Sequence, residues 1–160
     1  QPHNTLPIVW NWAFLESNNS VGIKDSDMTA MTVLRHSGIV FAFNSSVWEK
    51  FKLGELVSFN DNQTGKPSLR NTVYQPEEGD MPLPPIQGIK DLQERGSMFC
   101  VCDLATRVYG SAIASKMNLN PDEVYAEMVK GILPGIKIVP SGVMALGRAQ
   151  NEKCAYIFAG

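Results

Sequence analysis

From residue 97 onward, apolar runs of strand length alternate with stretches that carry helix-end signals. That alternation restricts the fold more than any other feature of the chain. Met98-Phe99-Cys100-Val101-Cys102 is short, apolar and without a helical period, which reads as a buried strand. A helix over 104–117 follows, capped by Asp103, with Leu104, Val108, Ala112 and Ile113 expected inward. Asn120-Pro121-Asp122-Glu123 opens another helix with a cap, a proline at the first position and an acid at the third; it runs to Lys130-Gly131. Leu133-Pro134-Gly135 turns the chain, and 136–140 reads as a strand. Ser141 then caps a helix to Glu152, and 154–158 reads as the last strand. Such an order predicts an α/β fold with a mostly parallel sheet, helices on both faces and right-handed crossovers.

The first half is less regular. Residues 4–17 alternate as a strand would at Leu6, Ile8, Trp10, Trp12 and Phe14, yet Ile8, Trp12 and Leu15 also share a helical face. Thr5 as cap and Pro7 in the first turn tip the reading to helix. Residues 28–34 read as a strand ending at Arg35-His36-Ser37-Gly38, and 39–43 is a second short apolar run. Ser46 and Glu49 are spaced as a capping box for a short helix that Gly54 ends. Residues 55–90 then break the pattern, with four prolines between Pro76 and Pro85. Neither flank is long enough to fold alone, so 1–160 reads as one domain with a long loop insertion at about 55–90. Loops of that length are functional, interface-forming or mobile. A helix over 89–94 closes it.

A net charge of −2 gives no electrostatic case for nucleic acid, and no apolar run reaches membrane-spanning length. Three cysteines are too few for a disulfide scaffold, and no CxxC or Cys/His ligand spacing predicts a metal. Phosphate-cradling and dinucleotide glycine motifs are absent, so no cofactor is expected. The chain opens on Gln1, as a chain with a removed leader or a fragment would.

In an open α/β sheet, ligands bind beyond the carboxyl ends of the strands. Three such ends carry chemistry here: Arg35 and His36, Cys102 and Asp103, and Pro140, Ser141 and Gly142. Cys102 stands before a helix, whose N-terminal N–H groups favour a thiolate nucleophile; the same position also suits an inert buried thiol. Asp103 opposes a thiolate, and Arg107, one turn on, compensates it. His36 is either a proton donor or acceptor facing the thiol, or a histidine bonded to loop backbone. Arg35 binds an anion or makes a structural ion pair. Ser141 and Gly142 form an anion pocket or a plain cap.

These residues and their order resemble the DsrE/DsrF-like family. The matching features are the apolar strand ending in Cys102, Arg107 and Gly110, Leu133-Pro134-Gly135-Ile136, Val139-Pro140-Ser141-Gly142-Val143, Arg148-Ala149-Gln150 and Ala155-Tyr156-Ile157, with Val33-Leu34-Arg35-His36 in the first half. The resemblance implies a three-layer α/β/α sandwich around about five mostly parallel strands, the first of them supplied by 1–14, absent, or removed upstream. It implies a sulfur carrier or sulfurtransferase with a persulfide on Cys102, assisted by His36 and Arg35, and with Arg107, Ser141 and Gly142 as substrate or anion contacts. It also implies homotrimers or hexamers, a sulfur-donor or acceptor protein as partner, and a periplasmic or otherwise exported location. The alternative is a non-enzymatic oligomeric binding or assembly subunit of the same fold, suggested by the proline-rich loop and the tryptophans.

Overall fold

A computed structural model of the chain describes residues 5–157. Its first element is a helix, α1 (Leu6–Ser20), with Pro7 in the opening turn. The inward face is Ile8, Asn11 and Leu15, spaced by three and four residues. Buried Asn11 is fully engaged: Nδ2 donates to Thr32 Oγ1 (3.0 Å) and Oδ1 accepts from Ser97 Oγ (2.7 Å). Those two bonds seat α1 on the sheet. No strand lies over 5–14, and residues 1–4 fall outside the described part.

The sheet has three parallel strands among the described residues, not about five. They are β1 (Met31–Leu34), β2 (Met98–Cys102) and β3 (Lys137–Val139), in spatial order β1-β2-β3. Met31 pairs with Met98 and Leu34 with Val101; Cys100 pairs with Lys137 and Cys102 with Val139. The strand expected over 154–158 does not form over 154–157, and the apolar run 39–43 is not extended either, both for local reasons. His36 takes a left-handed φ of 51°, and His36–Ala42 coils into 3₁₀ turns that bury Ile39, Val40, Phe41 and Ala42. At the other end, the Cys154 amide closes the last helix by donating to the Ala149 carbonyl (3.0 Å), after Lys153 turns at φ 65°. Residues 154–157 are exposed and irregular, and Phe158 lies outside the described residues.

Between β1 and β2 lie α2 (Ser45–Phe51), α3 (Leu53–Val57) and α4 (Ile89–Glu94). Asn44, not Ser46, caps α2, its Oδ1 accepting the Val47 amide at 3.1 Å. Gly54 does not end that helix; it lies inside α3, where a Cβ would sit 2.3 Å from the Ser68 backbone. The expected insertion is therefore trimmed at both ends, to an irregular segment over 58–88. It is anchored: Asn71 is buried, its Nδ2 donating to the Phe41 and Phe43 carbonyls and its Oδ1 accepting the Val73 and Tyr74 amides, all at 2.8–3.0 Å. Trp48 fills the core beside it, stacked on Phe41, edge-on to Phe59, and donating to the Val40 carbonyl.

After β2 come α5 (Asp103–Met117), α6 (Pro121–Lys130), β3 and α7 (Gly142–Asn151). The Asn120 cap forms as expected, Oδ1 accepting from the Asp122 and Glu123 amides. The inward face of α5 differs from the expected one. Thr106, Gly110, Ile113 and Ala114 are buried, while Leu104 (59%) and Val108 (58%) are exposed. The helix starts one residue earlier than expected, with Cys102 as cap and Asp103 inside it. No helix of the described residues is long and apolar enough to cross a membrane.

Candidate functional site

All three strands run the same way, so their carboxyl ends share one rim. The rim is knit by two contacts. The Leu104 amide donates to the Pro140 carbonyl (3.3 Å), tying the end of β2 to the end of β3. Gly142 packs on the end of β1, where an added Cβ would meet Arg35 Cβ at 2.9 Å and Val33 Cγ1 at 3.3 Å. A side chain there would push α7 off the aliphatic stem of Arg35. Thus Arg35, Cys102 and the Ser141-Gly142 turn, far apart in sequence, meet at one end of the sheet.

Cys102 is buried, and its backbone is extended at φ −74°, ψ 113° as a helix cap requires. Its Sγ accepts the Ala105 amide at 3.4 Å, so the thiol occupies the place of a capping oxygen. Thr106 Oγ1 donates to the Cys102 carbonyl at 3.0 Å and fixes the first turn behind it. Neighbouring Cys100 has a different setting. Burial, and then the proximity of Cys102, push its thiol up to about 11, so it stays protonated and inert at neutral pH. Its sulfur lies 3.8 Å from the Thr32 carbonyl oxygen. Cys154 is exposed, and all three cysteines are free.

Arg35 and His36 are exposed at the end of β1. Among the described residues Arg35 has no ion pair. His36 Nδ1 faces two hydroxyls, Ser37 Oγ at 3.4 Å and Tyr109 Oη at 3.5 Å, and its ring stands edge-on to Tyr109 with centroids 5.9 Å apart. Arg107 is engaged by Asp103 and Tyr125. Its Nε donates to Asp103 Oδ2 (2.9 Å), Nη2 donates to Tyr125 Oη (2.9 Å), and the guanidinium lies 4.0 Å from the Tyr125 ring centre. Tyr125 Oη donates to Asp103 Oδ1, which pushes the Tyr125 phenol up, with burial acting in the same direction. Asp103 is thereby paired with the Arg107 guanidinium and accepts a hydrogen bond from the Tyr125 phenol, while Arg107 is occupied with it. Ser141 sits at the α7 cap position without a side-chain capping bond; its carbonyl accepts the Ala145 amide.

Two neighbours of the rim were not singled out by sequence. Tyr109 stands seven residues after Cys102, which on a helix is two turns along the same face. Tyr125 comes from α6, and nothing local to its segment points at Asp103. Among the described residues no three His, Cys, Asp or Glu side chains gather as metal ligands. A cavity of about 420 Å³, lined by Tyr74, Lys90, Met98, Phe99 and Lys137 among others, lies at the opposite end of β2. Comparison with family models, with curated proteins and with solved structures finds no match to this chain.

Proposed function

We propose that the rim is a thiol centre that carries sulfur, as in DsrE-like carriers and sulfurtransferases, with Cys102 holding the sulfur as a persulfide. The supporting observation is the position of its sulfur. Cys102 Sγ caps a 15-residue helix at the carboxyl end of the middle strand and accepts a backbone N–H there. Charge that develops on that sulfur meets the unpaired N–H groups and the positive end of α5. In the transfer, the Cys102 thiolate attacks the outer sulfur of a donor persulfide. A new S–S bond forms on Cys102, the donor S–S bond breaks, and the donor leaves as a thiolate. No external oxidant or reductant enters the balance. In this reading Arg35, His36 and the Ser141-Gly142 turn serve the anionic groups of the exchange, and the Asp103–Arg107 pair offsets the Asp103 charge. The same reading includes the three-layer α/β/α arrangement, a homo-oligomer of three or six chains, an exported setting and a donor or acceptor protein as partner.

The test is mass spectrometry of the native protein after incubation with a persulfide donor. Cys102 gains the mass of one sulfur atom, and Cys102→Ser loses that gain. A Cys102→Ser protein that gains sulfur to the same level refutes the assignment.

A second reading, a binding or assembly subunit without transfer, draws on the apolar surface beside the rim. Leu104 and Val108 on α5 and Val143 (67%) on α7 are exposed, more than a solvated helix face requires. A Cys102 thiol that stays unreactive in the native protein favours it.

A further inference from the structure

We propose that the cavity at the amino end of β2 binds a small organic carboxylate with an apolar body, its charge met by Lys90 and Lys137 and its body by Tyr74, Met98 and Phe99. The inference stands apart from the sulfur-carrier reading. Met98 and Cys102 are the two ends of β2, about 13 Å apart along the strand.

The parts of the chain that wall the cavity are tied to one another. The Ile89 and Lys90 amides donate to the Val73 and Tyr74 carbonyls (2.9 and 3.1 Å), which joins the start of α4 to the irregular segment. Gln93 Nε2 donates to the Pro134 carbonyl (3.1 Å), which joins α4 to the turn before β3. Gly135 completes that turn at φ 77°, where a Cβ would stand 2.6 Å from Gln93 Nε2. The Ser97 amide donates to the Leu92 carbonyl (2.9 Å) and leads the chain from α4 into β2. The walls are thus held by hydrogen bonds of the chain itself, and the volume of about 420 Å³ lies in the range of small-molecule sites.

Lys90 comes from α4 and Lys137 from β3, and both line the cavity. Among the described residues neither forms an ion pair. Glu94, one helical turn after Lys90, lines the cavity too, yet pairs with neither lysine. Two cations against one carboxylate leave one positive charge in excess, the complement of a monoanion. Apolar surface stands beside these charges. Met98 lines the cavity and is 45% exposed, and a methionine adapts to varied apolar shapes. Phe99 and Tyr74 add aromatic surface. Inorganic phosphate matches neither the single excess charge nor the apolar lining, whereas a carboxylate on an aromatic or aliphatic body matches both.

The measurement is an amide ¹H–¹⁵N NMR titration of the full chain at neutral pH with phenylacetate, and in parallel with neutral phenylacetamide, acetate and inorganic phosphate. Phenylacetate shifts the amides of Lys90, Gln93, Met98, Gly135 and Lys137 saturably. Phenylacetamide, which lacks the charge, binds about tenfold more weakly, the loss of one charge-assisted contact. Acetate, which lacks the body, and phosphate bind more weakly than phenylacetate as well. The double variant Lys90→Gln with Lys137→Gln binds phenylacetate no better than the wild type binds phenylacetamide. Met98→Glu, which keeps both lysines and adds a like charge to the lining, also weakens binding. Absence of saturable shifts, or shifts confined to the amides around Cys102, overturns the proposal. Phenylacetamide as tight as phenylacetate refutes the role of the lysines, as does an unchanged double variant. Acetate or phosphate as tight as phenylacetate refutes the apolar body. The four probes on the wild type decide by themselves should a variant not fold.

Discussion

Beside the Asn71 anchor, Arg70 ties two parts of the irregular segment over 58–88 together, and replacing Arg70 with methionine tests how strongly. Arg70 Nη1 and Nη2 form a bidentate pair with Asp80 (2.8 and 2.6 Å), and Nε donates to Asp61 (2.7 Å). The Asp80 side chain is 0% exposed and that of Asp61 is 7%. Removing the cation leaves two buried carboxylates facing each other. Breaking a buried pair by removing one partner costs about 3–5 kcal/mol. Backbone amides still serve both acids, Glu77 N–H on Asp80 and Gln63 N–H on Asp61, so the lower end applies, about 3 kcal/mol. For a chain of this size that is a fall in Tm of roughly 6–12 °C.

The pH dependence supplies a second arm. Burial opposes the Asp61 charge, yet the Arg70 guanidinium and the Gln63 and Thr64 amides outweigh it and hold the carboxyl below the usual carboxylate range. A depressed folded value stabilises the protein above the unfolded value, near ~3.9, and that stabilisation fades as pH falls through the folded value. Arg70→Met lacks it. The gap between the two proteins in urea denaturation is therefore full at neutral pH and narrows below about pH 4. A loss under about 1 kcal/mol, or a gap independent of pH, refutes the assignment of Arg70 as a structural tie within this segment.

Two further outcomes follow from the cysteines and from α5. Alkylation of the native protein at neutral pH, mapped by peptide mass spectrometry, labels exposed Cys154 first and spares Cys100 until unfolding; early labelling of Cys100 contradicts its burial. On α5, Leu104→Lys and Val108→Lys change stability by no more than about 0.5 kcal/mol, while Ile113→Ala costs about 2–5 kcal/mol. Equal losses at all three positions in thermal melts would show that the exposed face is packed after all.

Several elements were legible because their cause is local. The proline and acids after Asn120 fix the start of α6 wherever the helix packs. The apolar run 98–102 gave β2 at its observed bounds, since a strand buried on both faces needs no alternation. The rim was legible in outline for the same reason: a parallel sheet puts strand ends together once the strand order is known.

The misreadings share a different cause. Leu104 and Val108 fit an inward stripe as well as Thr106 and Gly110 do, and only the placement of α5 against the sheet and α6 chooses between them. Residues 154–157 read as the start of a last strand, but the turn at Lys153 leaves them irregular and exposed. Arg70, Asp61 and Asp80 show nothing at nine and ten residues' spacing that announces one ion cluster.

The sequence alone therefore determined the α/β class, the helix starts set by Asn120 and Pro121, and the position of Cys102 at a strand end, because these depend on neighbours within one turn or one strand. Tertiary structure decided the number of strands, the buried face of α5, the meeting of Asp103 and Arg107 with Tyr125, and the contact of Tyr109 with His36. Those depend on which surfaces meet, and the meeting partners lie 18 to 73 residues apart along the chain.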